Sequence, residues 1–285
     1  MRIVVVIATA GRPAIAGQAL ARLSRLRRPP SDLLVVGAAP EDAPEALGPA
    51  RYVVAPKRGL AAQRNQALDL IGAEADIVVF VDDDYAPAPG FVEGVERLFA
   101  THPDIVAASG HLIADGINRG GLTFEQADAL IACYRPATPW LKDSSGTYGC
   151  NMAFRLCAAP HLRFDENLPL YGWLEDTDYS ARYAAFGRVV RTNHFAGVHL
   201  GARTGRLSGV RLGYSQIANP LYLWRKGTAS ARFALLTASR NMLANLVRSL
   251  RPEAHIDRRG RLRGNLLALS DMLNARCAPG RILDL

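Results

Sequence analysis

Lysine is almost absent from this chain: of 34 basic residues only Lys57, Lys142 and Lys226 are lysines, so arginine carries nearly all the positive charge. So general a bias removes any argument that arginine was selected site by site for its planar fork of donors. Cysteine is scarce as well. The 4 cysteines (Cys133, Cys150, Cys157 and Cys277) form no C-x-x-C pair and have no histidine at zinc spacing, which argues against a zinc site. Nothing else requires an oxidising compartment, so reduced thiols in a cytoplasmic protein are expected. Long apolar runs are missing too. No segment approaches the roughly 20 residues needed to span a bilayer, and any membrane contact is expected to be peripheral. The one stretch that imitates a signal peptide, Ile3 to Ala10 behind Met1 and Arg2, is short. It runs at once into Gly11, Arg12 and Pro13, as a buried strand ending in a loop does.

What is present suits one large α/β domain with an appendage: 49% hydrophobic and 21% charged residues over 285 positions leave no case for disorder. The charge is unevenly placed. From Arg203 to Leu285 there are 15 Lys plus Arg against 4 Asp plus Glu, a net of +11, and the formal total of +8 therefore leaves −3 for residues 1 to 202. A basic tail of this kind suits an anionic surface, phospholipid head groups or nucleic acid, with solvated helix faces as the plainer alternative.

Ile3 to Ile7 is β-branched without polar alternation and reads as a strand buried on both faces. Short apolar runs at Leu33 to Val36, Tyr52 to Ala55 and Ile77 to Val81 predict further strands. Helices are predicted from Pro13, over Gly59 to Ile71, and around Phe91, Val95, Leu98 and Phe99. The alternation predicts a mostly parallel sheet covered on both sides, with ligands beyond the carboxyl ends of its strands. Past Ile105 the pattern loosens. It gives a strand, a helix over Thr123 to Cys133, a long loop from Arg135 to Tyr148, an extended stretch to Arg155, and a helix over Leu174 to Phe186. A strand over Arg188 to Thr192 and a short segment over Val198 to Leu200 follow, and from about Leu212 the chain reads as helices, the clearest being Ala229 to Leu250.

Three consecutive aspartates, Asp82 to Asp84, close the fourth apolar run. Like charges so close raise one another's pKa, so a cation should compensate them. Mg2+ or Mn2+ fits, since a hard cation held by one or two carboxylates completes its shell with water and phosphate oxygens. Asp82 and Asp84 would share a side if strand geometry persisted. A solvated acidic turn is the alternative, and the buried strand ahead of it argues for the metal. Gly172-Trp173-Leu174-Glu175-Asp176-Thr177-Asp178 is the second constellation; its acids either complement a helix dipole or, flanked by Tyr171 and Trp173, line a sugar-binding surface. His199 is a third candidate, as neutral imidazole is an acceptable manganese ligand, and His194 offers the same chemistry five residues earlier.

Taken together these residues resemble a glycosyltransferase of family 2, with the GT-A fold, a Rossmann-like nucleotide-binding sheet. The resemblance runs from about Ile3 to His199. Ile7-Ala8-Thr9-Ala10-Gly11-Arg12-Pro13 is similar to the opening strand and nucleotide loop, and Gly59-Leu60-Ala61-Ala62-Gln63-Arg64-Asn65 to the helix start that follows. Val81-Asp82-Asp83-Asp84 is similar to the metal motif, Gly149-Cys150-Asn151-Met152-Ala153-Phe154-Arg155 to the segment beneath the donor sugar. Phe164-Asp165-Glu166 and Glu175-Asp176-Thr177-Asp178 resemble the acidic stretch that bears the catalytic base. One departure stands out: the family's aspartate after the second strand is replaced by Gly37-Ala38-Ala39, and Asp42 comes later in that loop, which leaves the nucleobase open.

The resemblance implies a GT-A catalytic domain over residues 1–211 and a basic amphipathic helical extension over 212–285. It implies inverting transfer of a sugar from a nucleotide diphosphate, with metal held by Asp84, Asp82 and His199 and the acceptor proton passed to Asp176. Donor contacts are expected from Thr9, Arg12, Arg64, Asn65, Asp82, Asp83, Asn151 and Glu175, and an acceptor contact from Trp173. The expected cofactor is Mn2+ or Mg2+. The expected partners are the donor and a glycan or polyprenyl-linked acceptor of surface polysaccharide assembly, with an anionic membrane surface as a further candidate and nucleic acid not among them. Arg135 to Tyr148 is a candidate lid or an ordinary surface excursion. The helix over Ala229 to Leu250 could lie in a bilayer interface or pack on protein. Rival classes are a sugar nucleotidyltransferase, against which no glycine-rich lysine loop follows the first strand, a phosphatase, against which Tyr85 and Ala86 follow the acids, and a membrane-bound scaffold without turnover.

Overall fold

In the computed structural model residues 1–117, 120–136, 138–202, 208–253 and 255–285 are described. In chain order the elements are β1 (Ile3–Thr9), α1 (Pro13–Leu23), β2 (Asp32–Gly37), β3 (Arg51–Val54), α2 (Leu60–Ile71), β4 (Ile77–Asp82), β5 (Tyr85–Pro87), α3 (Phe91–Thr101), β6 (Ile105–Asp115), α4 (Phe124–Cys133), β7 (Leu141–Asp143), β8 (Asn151–Arg155), α5 (Glu175–Tyr183), β9 (Arg188–His199), α6 (Gly209–Lys226), α7 (Ala231–Arg248) and α8 (Arg258–Leu273). The strands form one 9-stranded sheet in the order β3-β2-β1-β4-β8-β6-β9-β5, with β7 also on β9.

The sheet is mixed rather than mostly parallel. β3, β2, β1 and β4 run parallel, as do β6 and β9, but β8 lies antiparallel between β4 and β6, and β5 and β7 pair antiparallel with β9. A parallel neighbour demands a crossover connection, whereas β8 is reached from α4 along a mostly irregular stretch and is free to enter the other way round. β9 is one strand of 12 residues instead of the two short segments expected, and it follows β6 through register shifts. Its length is what carries His199 level with Asp115 and Tyr85, its cross-strand partners. The stretch from Arg135 to Tyr148 is fastened rather than free: β7 pairs with β9, Asn193 accepts the Trp140 N–H at 2.8 Å, and Thr192 donates to the Trp140 carbonyl at 3.0 Å. Ala137 of that stretch lies outside the described residues.

Two compact units emerge: Met1–Arg58, Ala62–Phe164 and Tyr179–Gly205 make the first, and Gly59–Ala61, Asp165–Asp178 and Arg206–Leu285 the second. In the first, Val5, Ile7, Leu33, Val35, Ile77 and Val79 pack with Leu20 and Leu23 of α1 and with Phe91, Val95 and Phe99 of α3 in one apolar core. Each such side chain stabilises the fold by roughly 1.5–3 kcal/mol. α3 approaches β9 so closely that a Cβ at Gly94 would sit 1.9 Å from the His194 carbonyl oxygen.

In the second unit, α6 and α8 meet backbone to backbone: a Cβ at Gly213 would fall 2.0 Å from the Arg261 carbonyl oxygen, and one at Gly264 2.1 Å from that of Val210. Tyr214, Ile217, Ala218, Ala268 and Ile282 form a small core there. Beside it, Asn245 donates to Gln216 and Asn265 at 2.8 and 2.9 Å, and Asn265 donates to the Gly213 carbonyl at 2.7 Å, so these buried amides satisfy one another. No helix among the described residues is long and apolar enough to cross a membrane.

Lys226 fastens the segment Asp165–Asp178 to α6 by donating to both Asp165 and Asp178, and Tyr222 donates to Asp165 at 2.7 Å. Burial pushes the Asp165 carboxyl up, but the hydrogen bonds from Lys226 and Tyr222 outweigh it and hold the group at about 2, below the ordinary 3.8. A depressed folded value stabilises the protein fully above the unfolded pKa and is lost as pH falls through the folded one. Asp165→Asn is therefore expected to cost about 2 kcal/mol at neutral pH and little near pH 2, read by urea denaturation at both values.

Candidate functional site

The site grows from the end of β4. Its run from Ile77 to Val81 is buried between β1 and β8, and at Asp82 the strand stops. Strand geometry does not persist through Asp84: the chain turns at Asp83 and Asp84 and re-forms as β5. Asp82 and Asp84 converge all the same, because β5 pairs with the end of β9 and sets Tyr85 opposite His199. Carboxylate oxygens of Asp82 and Asp84 and a ring nitrogen of His199 lie within 4.8 Å of one another. His199 Nε2 is 3.6 Å from Asp84 Oδ1 and 3.9 Å from Asp82 Oδ2. His194, the alternative, instead has its Nδ1 2.7 Å from the Thr192 hydroxyl.

The other imidazole nitrogen of His199, Nδ1, is 2.9 Å from Asp115 Oδ1, and the Tyr148 hydroxyl donates to Asp115 Oδ2 at 3.1 Å. A carboxylate behind an imidazole fixes its tautomer and orientation and strengthens it as a ligand. Asp115 escaped the sequence reading because only the β6–β9 register, which sets Asp115 beside His199, marks it out. Burial pushes His199 down, but the hydrogen bond with Asp115 and the nearby carboxylates of Asp84 and Asp82 outweigh it and bring the imidazole up to about 10. The acids thus draw a positive charge to this nitrogen, and a divalent ion is a natural replacement for that proton.

Asp83 faces other partners. It is fully buried, accepts from the Thr9 hydroxyl at 2.8 Å, and its Oδ1 lies 2.6 Å from Arg12 Nη2. Burial still pushes it up to about 7 against the pull of Arg12, with Asp84 adding to the rise. Burial also opposes ionisation of Asp84, but His199, Arg12 and the Ala202 N–H, 2.6 Å from Oδ2, hold its pKa below the ordinary value. So Thr9 and Arg12, expected as donor contacts, are brought to the middle aspartate.

Arg64 is 1% exposed; its guanidinium donates to the Gly149 carbonyl at 3.0 Å, lies 3.4 Å from Asp82 Oδ1, and sits over the rings of Phe80 and Phe164. Asn65 holds Phe164 by its main chain, donating to the carbonyl at 3.0 Å and accepting the N–H at 2.7 Å. Asn151 opens β8 beside Val81, and although it is 1% exposed, neither atom of its amide has a partner among the described residues. A buried amide left so costs roughly 1–3 kcal/mol, which points to a ligand that completes it. Asp42 has its oxygens taken up by the N–H groups of Gly11, Ala38 and Ala39, at 2.5, 2.9 and 3.0 Å, and so braces the loops after β1 and β2. Gln63 does similar service, donating to the carbonyls of Thr9 and Val36 at 2.7 and 2.8 Å.

Trp173, Glu175 and Asp176 belong to the second unit. The backbone leading to them is unusual: Leu170, Gly172 and Leu174 have φ of 58°, 60° and 73°. Left-handed backbone at a non-glycine residue costs of order 1–3 kcal/mol and persists where neighbours over-determine it. Here the Leu60 N–H donates to the Leu170 carbonyl at 2.8 Å and Asn219 to that of Trp173 at 2.7 Å. Asp176 follows in the first turn of α5.

Two hard carboxylates and an imidazole, of which Asp84 and His199 are buried and the imidazole is backed by Asp115, fit Mn2+ or Mg2+. Such a cluster at the carboxyl end of a sheet built this way is an arrangement of the GT-A fold class. Residues 5–157 match the family described as Glycosyl transferase family 2, and the chain belongs to that family. It is 28% identical over 100 residues to a glucosyl-dolichyl phosphate glucuronosyltransferase of Haloferax volcanii, a stretch covering 34% of this chain and 31% of that protein's length. In fold it is similar to the mannosyltransferase PcManGT from Pyrobaculum calidifontis, in complex with GDP-Man and Mn2+ (TM-score 0.55, 17% identity, 99% of this chain and 85% of that one). It is similar also to residues 1–349 of TarS from S. aureus, in complex with UDP-GlcNAc (TM-score 0.59, 14% identity, 99% and 83%).

The Asp115–His199 pair makes a quantitative expectation. Asp115→Asn should weaken Mn2+ binding by roughly 10- to 100-fold with the circular dichroism spectrum unchanged, measured by isothermal titration calorimetry. Equal affinity in the variant would remove Asp115 from the site.

Proposed function

We propose that the protein is a metal-dependent, inverting glycosyltransferase that passes a sugar from a nucleotide diphosphate to a hydroxyl of a lipid-linked glycan, on the cytoplasmic side of a membrane. The observation that carries the metal-dependent reading is the convergence of Asp82, Asp84 and His199 at one end of the sheet. When bound there, Mn2+ or Mg2+ supplies positive charge to the diphosphate leaving group. Asp84 and His199 would hold the ion from a buried position, and Asp82, a quarter exposed and 3.4 Å from Arg64, would be the third ligand. Thr9 and Arg12 keep Asp83 in place and so set the turn on which both ligands stand. Asn151 offers its unpaired amide to the donor sugar, and Asn65 keeps Phe164 under Arg64.

In this reading the acceptor oxygen bonds to the anomeric carbon as the bond from that carbon to the diphosphate oxygen breaks, and the electron pair leaves on the diphosphate. The acceptor proton goes to Asp176, which follows the left-handed turn from Leu170 to Leu174. Glu175 is assigned to the donor and Trp173 to the acceptor, whose apolar ring suits a sugar face. Both nucleotides named for the structural neighbours, GDP-Man and UDP-GlcNAc, remain candidate donors, since Asp42 is spent on backbone.

Incubating the protein with a panel of nucleotide sugars and Mn2+ is expected to release nucleoside diphosphate. Formation of nucleoside triphosphate and sugar 1-phosphate when pyrophosphate is added would indicate a nucleotidyltransferase instead, and no turnover with any donor a scaffold. Asp84→Asn should lower kcat by roughly 10²–10³ and abolish the Mn2+ dependence. Asp176→Asn should lower kcat by roughly 10²–10⁴ while leaving the Kd of the donor unchanged, which a role in donor binding would not.

A further inference from the structure

α7 buries one of its sides and carries a row of large apolar residues on the other. Ala234 and Asn245 face inward and are buried, and Ala238 and Met242 pack on the core of the second unit from the same side. At 100° per residue the opposite side carries Leu235, Leu236, Leu243, Leu246 and Val247, continued just past the helix by Leu250, within an arc of about 120°. These six are 41% to 81% exposed. A helix that already buries one face has no need of a second, so this stripe is a large apolar surface left open.

Its charge is as one-sided as its hydropathy. From Gly209 to Pro252 the sequence holds no Asp or Glu at all. Arg232 lies within the stripe at its amino-terminal end, Arg240 at its edge and Arg251 just beyond Leu250. None of the three pairs with an acid among the described residues. α8 repeats the composition on exposed positions, with Arg259 and Arg263 followed by Leu266, Leu267 and Leu273.

We infer that the outer face of α7 is a docking surface for an anionic lipid bilayer. Leucines of the stripe enter the acyl boundary, and Arg232, Arg240 and Arg251 lay their stems along it with their guanidinium groups among lipid phosphates. A second copy of the chain is a poorer occupant: a two-fold interface across this face would set its unpaired arginines near their own copies with no acid between them. The inference stands on α7 alone and holds whether or not the transfer reaction is as proposed.

Flotation of the full chain with vesicles tests it. At low salt the protein is expected to float with vesicles of equal parts phosphatidylglycerol and phosphatidylcholine, to stay behind with phosphatidylcholine alone, and to be released as salt rises. Arg232→Gln with Arg240→Gln should lower partitioning about fivefold per arginine, and Leu243→Ser with Leu246→Ser and Val247→Ser by more than tenfold. As all five positions are open to solvent, melting temperatures should stay within a degree or two of wild type, which separates lost docking from lost folding. Absence of flotation at low salt, equal flotation by the triple variant, or a dimer that the triple variant splits while vesicle binding survives would each overturn the proposal.

Discussion

Three adjacent carboxylates at the rim of a buried sheet impose the constraint from which the rest of the catalytic region follows. Left to themselves they would repel one another and resist ionisation. The fold answers each one separately: Arg64 lies at Asp82, Arg12 and Thr9 at Asp83, and His199 with the Ala202 N–H at Asp84. The answers are unequal. Asp83 receives its own cation and is closed off, whereas Asp82 and Asp84 converge on one imidazole and form with it the group that a divalent ion fits. Division of labour within the triplet therefore comes from its neighbours and not from its spacing.

Those neighbours are delivered by topology. β1 sets Ala8 opposite Asp82 and brings Thr9 to Asp83, α2 brings Arg64, and β9 brings His199, all to one end of the sheet. Beneath them Phe80, Phe154, Phe164, Tyr179 and Tyr183 form an aromatic bed, with Phe164 and Tyr179 stacked at 3.8 Å. Such rings contribute both buried area and a face that a guanidinium can rest on. Arg64 can remain charged and almost fully buried because it has that bed, the Gly149 carbonyl and Asp82 together.

The first half of the fold was legible in the sequence because its strands announce themselves by uninterrupted β-branched runs, and β1, β2, β3 and β4 lie within a residue or two of where those runs lie. Direction was not legible: Asn151 to Arg155 looks the same read as a parallel or an antiparallel strand, and only its neighbours decide. The break of β9 into two segments failed for a related reason, since Asn193, His194 and Gly197 interrupt the apolar pattern, whereas the strand continues and resumes its pairing with β6 at Ala196 after a register shift. Of the site, Asp82, Asp84 and His199 were readable as residue types that bind a hard cation. Asp115 was not, for it stands 84 positions from His199 and is an ordinary strand-end aspartate until the register is known.

The amide of Asn151, unpaired among the described residues, would bear on selectivity in the proposed reaction. Its desolvation is already complete in the folded chain, so a sugar hydroxyl that reaches it gains two hydrogen bonds without stripping water from the protein side. A deoxy analogue would leave the same amide as it found it and forfeit that gain. Were the donor sugar to sit there as proposed, discrimination at this position would rest on chemistry the ligand brings rather than on steric exclusion, and would favour hydroxylated sugars over their deoxy counterparts.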